Sequence, residues 1–338
     1  MKNYKTLLLI LIFISISSSI SNYFVWESNV LQTGLITDFN SGSFAAENYM
    51  KLKAKQFFYP NIGITALPIY AMLAKYHIAN EKYTEALELL NEKNDKNPYI
   101  GIVESLKANI YSTLNVRDSA YYYSKKAFEK LPVNALHFEQ YIRELVIKKD
   151  LKTIKKVFRE LNEESEVKDF QLWRTYFMAV IRLKEKEDEE INYFAQQAIE
   201  KFYSRQTLFL VASYILYGEE NVTNSYFHSN KGEEYFLAGD FDESAEQYKK
   251  AFELFPLESN FAENAGMALI KAEKFKEAIV YFDKALGLIR ENNGKSEFGI
   301  ASSYLELGNK EKACTFFEKA MSYNFKPAFS FYSKNCAI

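Results

Sequence analysis

The chain has 338 residues, 42 basic and 44 acidic side chains and a net charge of −2, enough for one long repeat array or two compact domains. So even a balance, with no basic stripe, excludes a nucleic-acid partner from the expectations. Three His and two Cys are too few for a His/Cys metal site, so neither metal nor cofactor is expected, while 28 Phe and 25 Tyr beside 12 Gly and 6 Pro suit an all-helical protein with bulky packing.

Residues 1–26, MKNYKTLLLILIFISISSSISNYFVW, set Lys2 and Lys5 ahead of a stretch without charge until Glu27. That is the pattern of an export signal. Two readings stay open. Leu7–Ile16 is a short apolar core and Ser19-x-Ser21 a small-x-small cleavage site, as in a cleaved signal peptide. Leu7–Trp26 is also about the length that spans a bilayer, with Tyr23 and Trp26 at the far interface. Both readings leave the remainder outside the cytoplasm, because the positive end stays inside. The chain is then anchored in the inner membrane facing the periplasm, or free in the periplasm. Residues 27–62 read as a spacer (27–42, with Gly34, Asp38, Asn40, Ser41 and Gly42) and a lead-in helix over 45–58, stopped by Pro60 and Asn61.

An array of helical pairs is expected over 63–217. Its first unit is ALPIYAMLAKYHIANEKYTEALELLNEKNDKNP (66–98). Tyr70, Leu73, Ala74 and His77 share one face of a first helix; Tyr83, Ala86, Leu87 and Leu90 share one face of a second. In the next unit, 101–132, Ala108, Tyr111, Ala120 and Pro132 each lie 34 residues after Ala74, His77, Ala86 and Pro98. From 135 the pattern decays. Residues 135–161 still read as a helical pair around Phe138, Tyr141, Leu145, Ile154 and Phe158, and 173–202 as another around Ala179 and Ala198. Lys184–Glu190 reads as a solvated turn and Thr207–Tyr217 as one more helix. The polar stretch 218–225 is the expected boundary to a second array, 226–338.

In that second array KGEEYFLAGDFDESAEQYKKAFELFP (231–256) superimposes on AGMALIKAEKFKEAIVYFDKALGLIR (265–290) at a shift of 34 residues. Gly232 matches Gly266, Ser244 matches Ala278 and Ala251 matches Ala285. These small residues sit where two antiparallel helices come closest, beside the matched rings Tyr248 and Phe282. Gly239 fits a left-handed helix end, Asp240 and Glu243 have capping-box spacing, and Pro256 closes the unit. A fixed period of this length denotes a repeat array, and a hairpin that cannot bury both faces must stack on another. A last unit, 294–322, continues through Ala301, Tyr304, Gly308, Ala313, Phe317 and Ala320. Pro327–Cys336 reads as a capping helix.

These residues resemble the tetratricopeptide repeat family, strongly over 66–132 and 228–322. The resemblance implies an all-α, right-handed superhelical solenoid of antiparallel helix pairs, a protein-binding scaffold rather than an enzyme. Its inward positions fall on Tyr226, Phe236, Met267 and Phe298, among others, and imply a groove for an apolar or aromatic peptide of a protein partner. The Lys and Asn of the family's carboxylate clamp are replaced by Ser229 and Glu233, and by Ser105 and Asn109 in the second unit, which puts that sub-function in doubt. The Lys/Asn/Ile/Phe-rich composition is that of an AT-rich bacterium, and the expected role is an envelope scaffold. FFYPNIGITALPIY (57–70), followed by repeats, also resembles the periplasmic repeat tails of polysaccharide polymerases and ligases, so an accessory factor of surface-polysaccharide assembly is an alternative. An enzyme with its site in the degenerate middle, 135–217, is another.

Cys314 and Cys336 sit at matching offsets on either side of the turn into the capping helix. An antiparallel pair would bring them level, so a disulfide is expected in an oxidising compartment, with two buried thiols as the alternative. His77 takes the place of a core ring, and His137 and His228 read as surface or groove residues. No G-x-S-x-G, P-loop, H-E-x-x-H or C-x-x-C occurs, and no catalytic residue is assigned.

Overall fold

The computed structural model describes residues 2–44, 50, 67–91, 97–165, 169–183, 188–288 and 292–336. They form two compact units, 1–186 and 187–338. The first holds α1 (Lys2–Ser41), α2 (Ile69–Ala79), α3 (Tyr83–Leu90), α4 (Ile102–Thr113), α5 (Arg117–Lys130), α6 (Ala135–Ile147), α7 (Leu151–Ser165) and α8 (Phe170–Arg182). The second holds α9 (Glu189–Lys201), α10 (Gln206–Tyr217), α11 (Glu219–Ala238), α12 (Phe241–Leu254), α13 (Ser259–Lys271), α14 (Phe275–Leu286), α15 (Lys295–Glu306), α16 (Lys310–Ser322) and α17 (Lys326–Asn335). The expected lead-in helix 45–58, its stop at Pro60 and Asn61, and Lys184–Glu187 lie outside the described residues.

Residues 27–42 are not a spacer. They continue α1 without a break as far as Ser41, with Gly42 turning out of the helix at φ 68°, because nothing in 27–41 stops a helix once it has a face to bury. Ser28, Gln32, Leu35 and Asp38, three or four residues apart, are buried along one stripe. Leu35 packs into a cluster with Ile69, Met72, Leu73 and Tyr76 of α2. The Tyr76 hydroxyl donates to Asp38 Oδ2 at 2.6 Å, and Phe44 meets the Tyr76 ring edge-on at 5.2 Å. Burial and the Asp38 carboxylate push the Tyr76 hydroxyl well above its ordinary range. The apolar residues 4–26 of the same helix are exposed.

Small residues let paired helices approach. Ala74, Ala86, Ala120 and Ala127 are fully buried in the first unit. In the second, a Cβ on Gly232 would stand 2.9 Å from the Tyr248 ring, and one on Gly266 2.8 Å from the Phe282 ring. Six of the turns inside pairs repeat a single device. Glu81, Asn115 and Lys149 have φ of 59°, 59° and 54°, and Gly239, Glu273 and Gly308 have φ of 84°, 59° and 76°. The residue after each returns its N–H to a carbonyl in the last helical turn, as Lys82 does to His77 (2.8 Å), Asp150 to Leu145 (3.0 Å) and Lys274 to Leu269 (2.8 Å). Asp240 stands at the N-cap of α12, but its side chain makes no capping bond. The buried Ser244 hydroxyl donates across the pair to the Gly232 carbonyl at 2.8 Å instead.

Successive pairs are tied by polar bonds through apolar surroundings. Ser105 donates to Gln140 Oε1 (2.8 Å) and Ser112 to Glu144 (3.1 Å), from α4 to α6. Ser296 donates to Glu263 (2.6 Å), which also pairs with Lys295 (3.1 Å), from α15 to α13. The expected boundary at 218–225 is no break. Gly218 ends α10, and 219–225 are the first turns of α11, with Val222 and Ser225 buried three residues apart while the polar side chains between them face outward. The division between units falls at 186/187.

Candidate functional site

The first helices of the C-terminal pairs, α11, α13 and α15, carry the four side chains expected to line a peptide groove. Tyr226, 39% exposed, lays its ring against Phe255 and Phe261 at 6.5 and 5.3 Å. Burial first, then Glu258, pushes its hydroxyl up to about 12. Phe236 meets Phe241 edge-on at 5.4 Å, and Met267 is half-buried on the same core. Phe298 belongs to a different cluster. Its ring contacts Phe317, Phe325 and Phe331 at 5.7, 5.3 and 5.1 Å, because α17 folds back and covers it. The four therefore do not meet in one open groove; three rim one core and the fourth holds the C-terminal helix.

A cleft of about 670 Å³ opens in the same unit. It is framed by the turn at Tyr203, Ser204 and Gln206, by the start of α13, and by Gly287, Leu288 and Asn293 between α14 and α15. Phe209 and Leu257 give it apolar wall. Gln206, Asn260 and Asn293 give it amides, and Ser204 and Ser259 hydroxyls. Its two carboxylates are committed to the fold. Glu258 caps α13, accepting from the Asn260 backbone N–H at 3.4 Å and from its side-chain amide at 2.8 Å, and Glu263 carries the Ser296 and Lys295 contacts above. The cleft thus offers neutral donors and acceptors beside apolar surface, the chemistry that suits a peptide main chain.

Cys314 and Cys336 are joined in a disulfide with Cα atoms 5.6 Å apart, tying α17 to α16. His77 is half-buried, and the core ring of its helix is Tyr76. His228 Nδ1 lies 2.8 Å from Gln247 Oε1. His137, expected at the surface or in a groove, is instead 2% exposed. The α6 N-cap, where Asn134 Oδ1 accepts from the His137 N–H at 3.1 Å, turns its ring inward. Burial holds its pKa below 6.5 against the opposing pull of the Leu131 carbonyl and Glu104. In the degenerate middle the buried Glu144 carboxylate receives Ser112 and lies 3.9 Å from Arg117, a structural tie between pairs. Among the described residues no three His, Cys, Asp or Glu side chains gather to hold a metal.

Two tetratricopeptide repeat family profiles match the chain, one over residues 230–296 and one over 298–327. No curated protein matches it. Among solved structures it is similar to a tetratricopeptide repeat protein from Parabacteroides merdae, with 13% identity over 89% of this chain and 94% of that one and a TM-score of 0.35. It is also similar to the TPR2AB domain of yeast Sti1 in a complex with pHSP90 (16% identity, 69% and 94% covered, TM-score 0.30). A thermophilic tetratricopeptide repeat protein from Thermus thermophilus is similar at 14% identity, with 72% and 98% covered and a TM-score of 0.26.

Proposed function

We propose, from the premise that this chain belongs to the tetratricopeptide repeat family, that it is a membrane-anchored, non-enzymatic protein-interaction scaffold of a bacterial cell envelope. One observation carries the anchor. Tyr4–Leu35 is long and apolar enough to cross a bilayer, at about 1.5 Å per residue, and its far end is built into the first helical pair through Leu35 and Asp38. Lys2 and Lys5 at the near end favour a cytoplasmic N-terminus, which sets the repeats on the periplasmic side. The disulfide suits that oxidising compartment. The cleft beside α13 supplies amides and hydroxyls for a partner's main chain.

Membranes washed with alkaline carbonate should retain the chain, and protease added to spheroplasts should digest the repeats. Release by carbonate with an N-terminus following Ser21 would replace the anchor by a cleaved signal peptide. Protection of the repeats in spheroplasts would sink the periplasmic placement. For the scaffold, a photo-cross-linking side chain at the exposed Asn260 should give a discrete adduct in native membranes. Recovery of the chain without adduct counts against a partner at this cleft.

A further inference from the structure

The middle of the chain, where the repeat pattern fades, carries an arginine groove. The chain has seven Arg against thirty-five Lys, yet three of the seven, Arg143, Arg174 and Arg182, line one groove of about 250 Å³ between α6 and α8, and among the described residues no Lys lines it. A face that served solvation alone would draw on the lysine excess. Arginine differs from lysine in its rigid, weakly hydrated fork, which grips a carboxylate with two parallel bonds. Arg174 and Arg182 are exposed and make no ion pair among the described residues. Arg143 Nε is buried without a hydrogen-bond partner among the described residues and lies 4.0 Å from Glu144, whose carboxylate is already held by Ser112. Ile142 and Val146 from α6 and Met178 from α8 give the groove an apolar floor, and Met178 is 40% exposed. Gln171 and Thr175, one turn apart, add neutral hydrogen-bonding groups.

We propose that this groove docks an extended acidic segment of a protein partner. The arginines take its carboxylates, and an apolar residue between them seats on Met178. This rests on the scaffold reading and names the chemistry of one thing the scaffold holds. Spacing argues for an extended occupant. Arg174 and Arg182 are eight residues apart on one helix, about 12 Å along its axis, a span that suits separate carboxylates along one chain. An extended chain covers that distance in about four residues at roughly 3.3 Å each. A nucleic acid, held by its phosphates, would leave the apolar floor unused.

The test is fluorescence anisotropy on the full chain in dodecyl maltoside micelles. The probe is a fluorescein-labelled Gly-Asp-Glu-Leu-Glu-Asp-Gly peptide, compared with its Asn/Gln counterpart. The acidic peptide should bind and the amide peptide should not. Arg174→Ala with Arg182→Ala should weaken binding at least tenfold, Met178→Asp likewise, and Arg174→Lys less. These side chains are exposed, so the thermal melt should be unchanged. Equal binding by the double variant or of the amide peptide would overturn the proposal. So would tighter binding of a twelve-nucleotide oligothymidylate through the same arginines. If the wild type ignores the acidic peptide but still forms the Asn260 adduct in membranes, the groove fails and the scaffold stands; if it does neither, both fail.

Discussion

Glu273 shows what a single residue hides. Its backbone is left-handed, with φ of 59°, a conformation that costs an L-residue about 1–2 kcal/mol. Its side chain is exposed. Glycine relieves the strain and gives back part of it in chain entropy. Glu273→Gly should therefore raise the stability of the C-terminal unit by about 0.5–1 kcal/mol. The mirror change, Gly239→Ala, should lower it by a similar amount, since φ there is 84° and no neighbouring atom lies within 4 Å of the added methyl. Urea melts of the two variants read this directly. A loss of stability in Glu273→Gly would mean the glutamate makes a contact worth more than its strain. In sequence the left-handed position was read at Gly239, and Gly308 carries the same glycine signal. Glu81, Asn115, Lys149 and Glu273 concealed it, because the turn is held by backbone bonds that ignore side-chain identity. Those bonds carry the 34-residue period on to Lys149, inside the stretch where side-chain matching had faded.

Among the elements, α17 depends on a covalent tie. It buries Ala328 and leaves Phe329 and Phe331 at 45% and 42% exposed, a thin interface for a ten-residue helix. The Cys314–Cys336 bond closes a loop of 22 residues, which in the chain-entropy model stabilises by about 3 kcal/mol. In Cys314→Ser, amides of 326–335 should exchange markedly faster while α13 and α14 keep their protection. Unchanged exchange at α17 would show that Phe298, Phe325 and Phe331 hold it without the bond. The offsets of the two cysteines made this pair readable from sequence. The role of Phe298 was not, because an inward-facing ring looks the same whether a ligand or the next helix covers it.

At the scale of the whole molecule, α1 joins two jobs in one helix. Removing residues 2–26 takes away exposed apolar surface and leaves Leu35 and Asp38 in place. The shortened chain should be soluble without detergent and lose only the helical signal of the residues removed, keeping that of 27–338. Removing residues 2–41 uncovers Ile69, Met72, Leu73 and Tyr76 and deletes a Leu35 side chain that is 1% exposed, a loss of about 1.5–3 kcal/mol from that residue alone. That version should aggregate or lose protection in α2 and α3. Two truncations that behave alike in circular dichroism and gel filtration would show that 27–41 is a spacer after all.

The sequence by itself determined the helical pairs, their 34-residue period, the small residues at close approach, the apolar N-terminal stretch and the proximity of the two cysteines. Each of these is a local or periodic signal, set by neighbours three, four or thirty-four residues away. Tertiary structure alone decided that α1 runs unbroken to Ser41 and packs on the first pair, that 218–225 is helix, that His137 is buried, and that three arginines from two helices face one groove. These outcomes depend on which surface covers which. Gly34 and Asp38 read as a spacer until α2 offers Leu35 an apolar face, and Glu219–Ser225 reads as a break until Val222 finds a core to enter. Arg143 and Arg174 lie on separate helices with α7 between them, and no spacing along the chain brings them together before those helices pack.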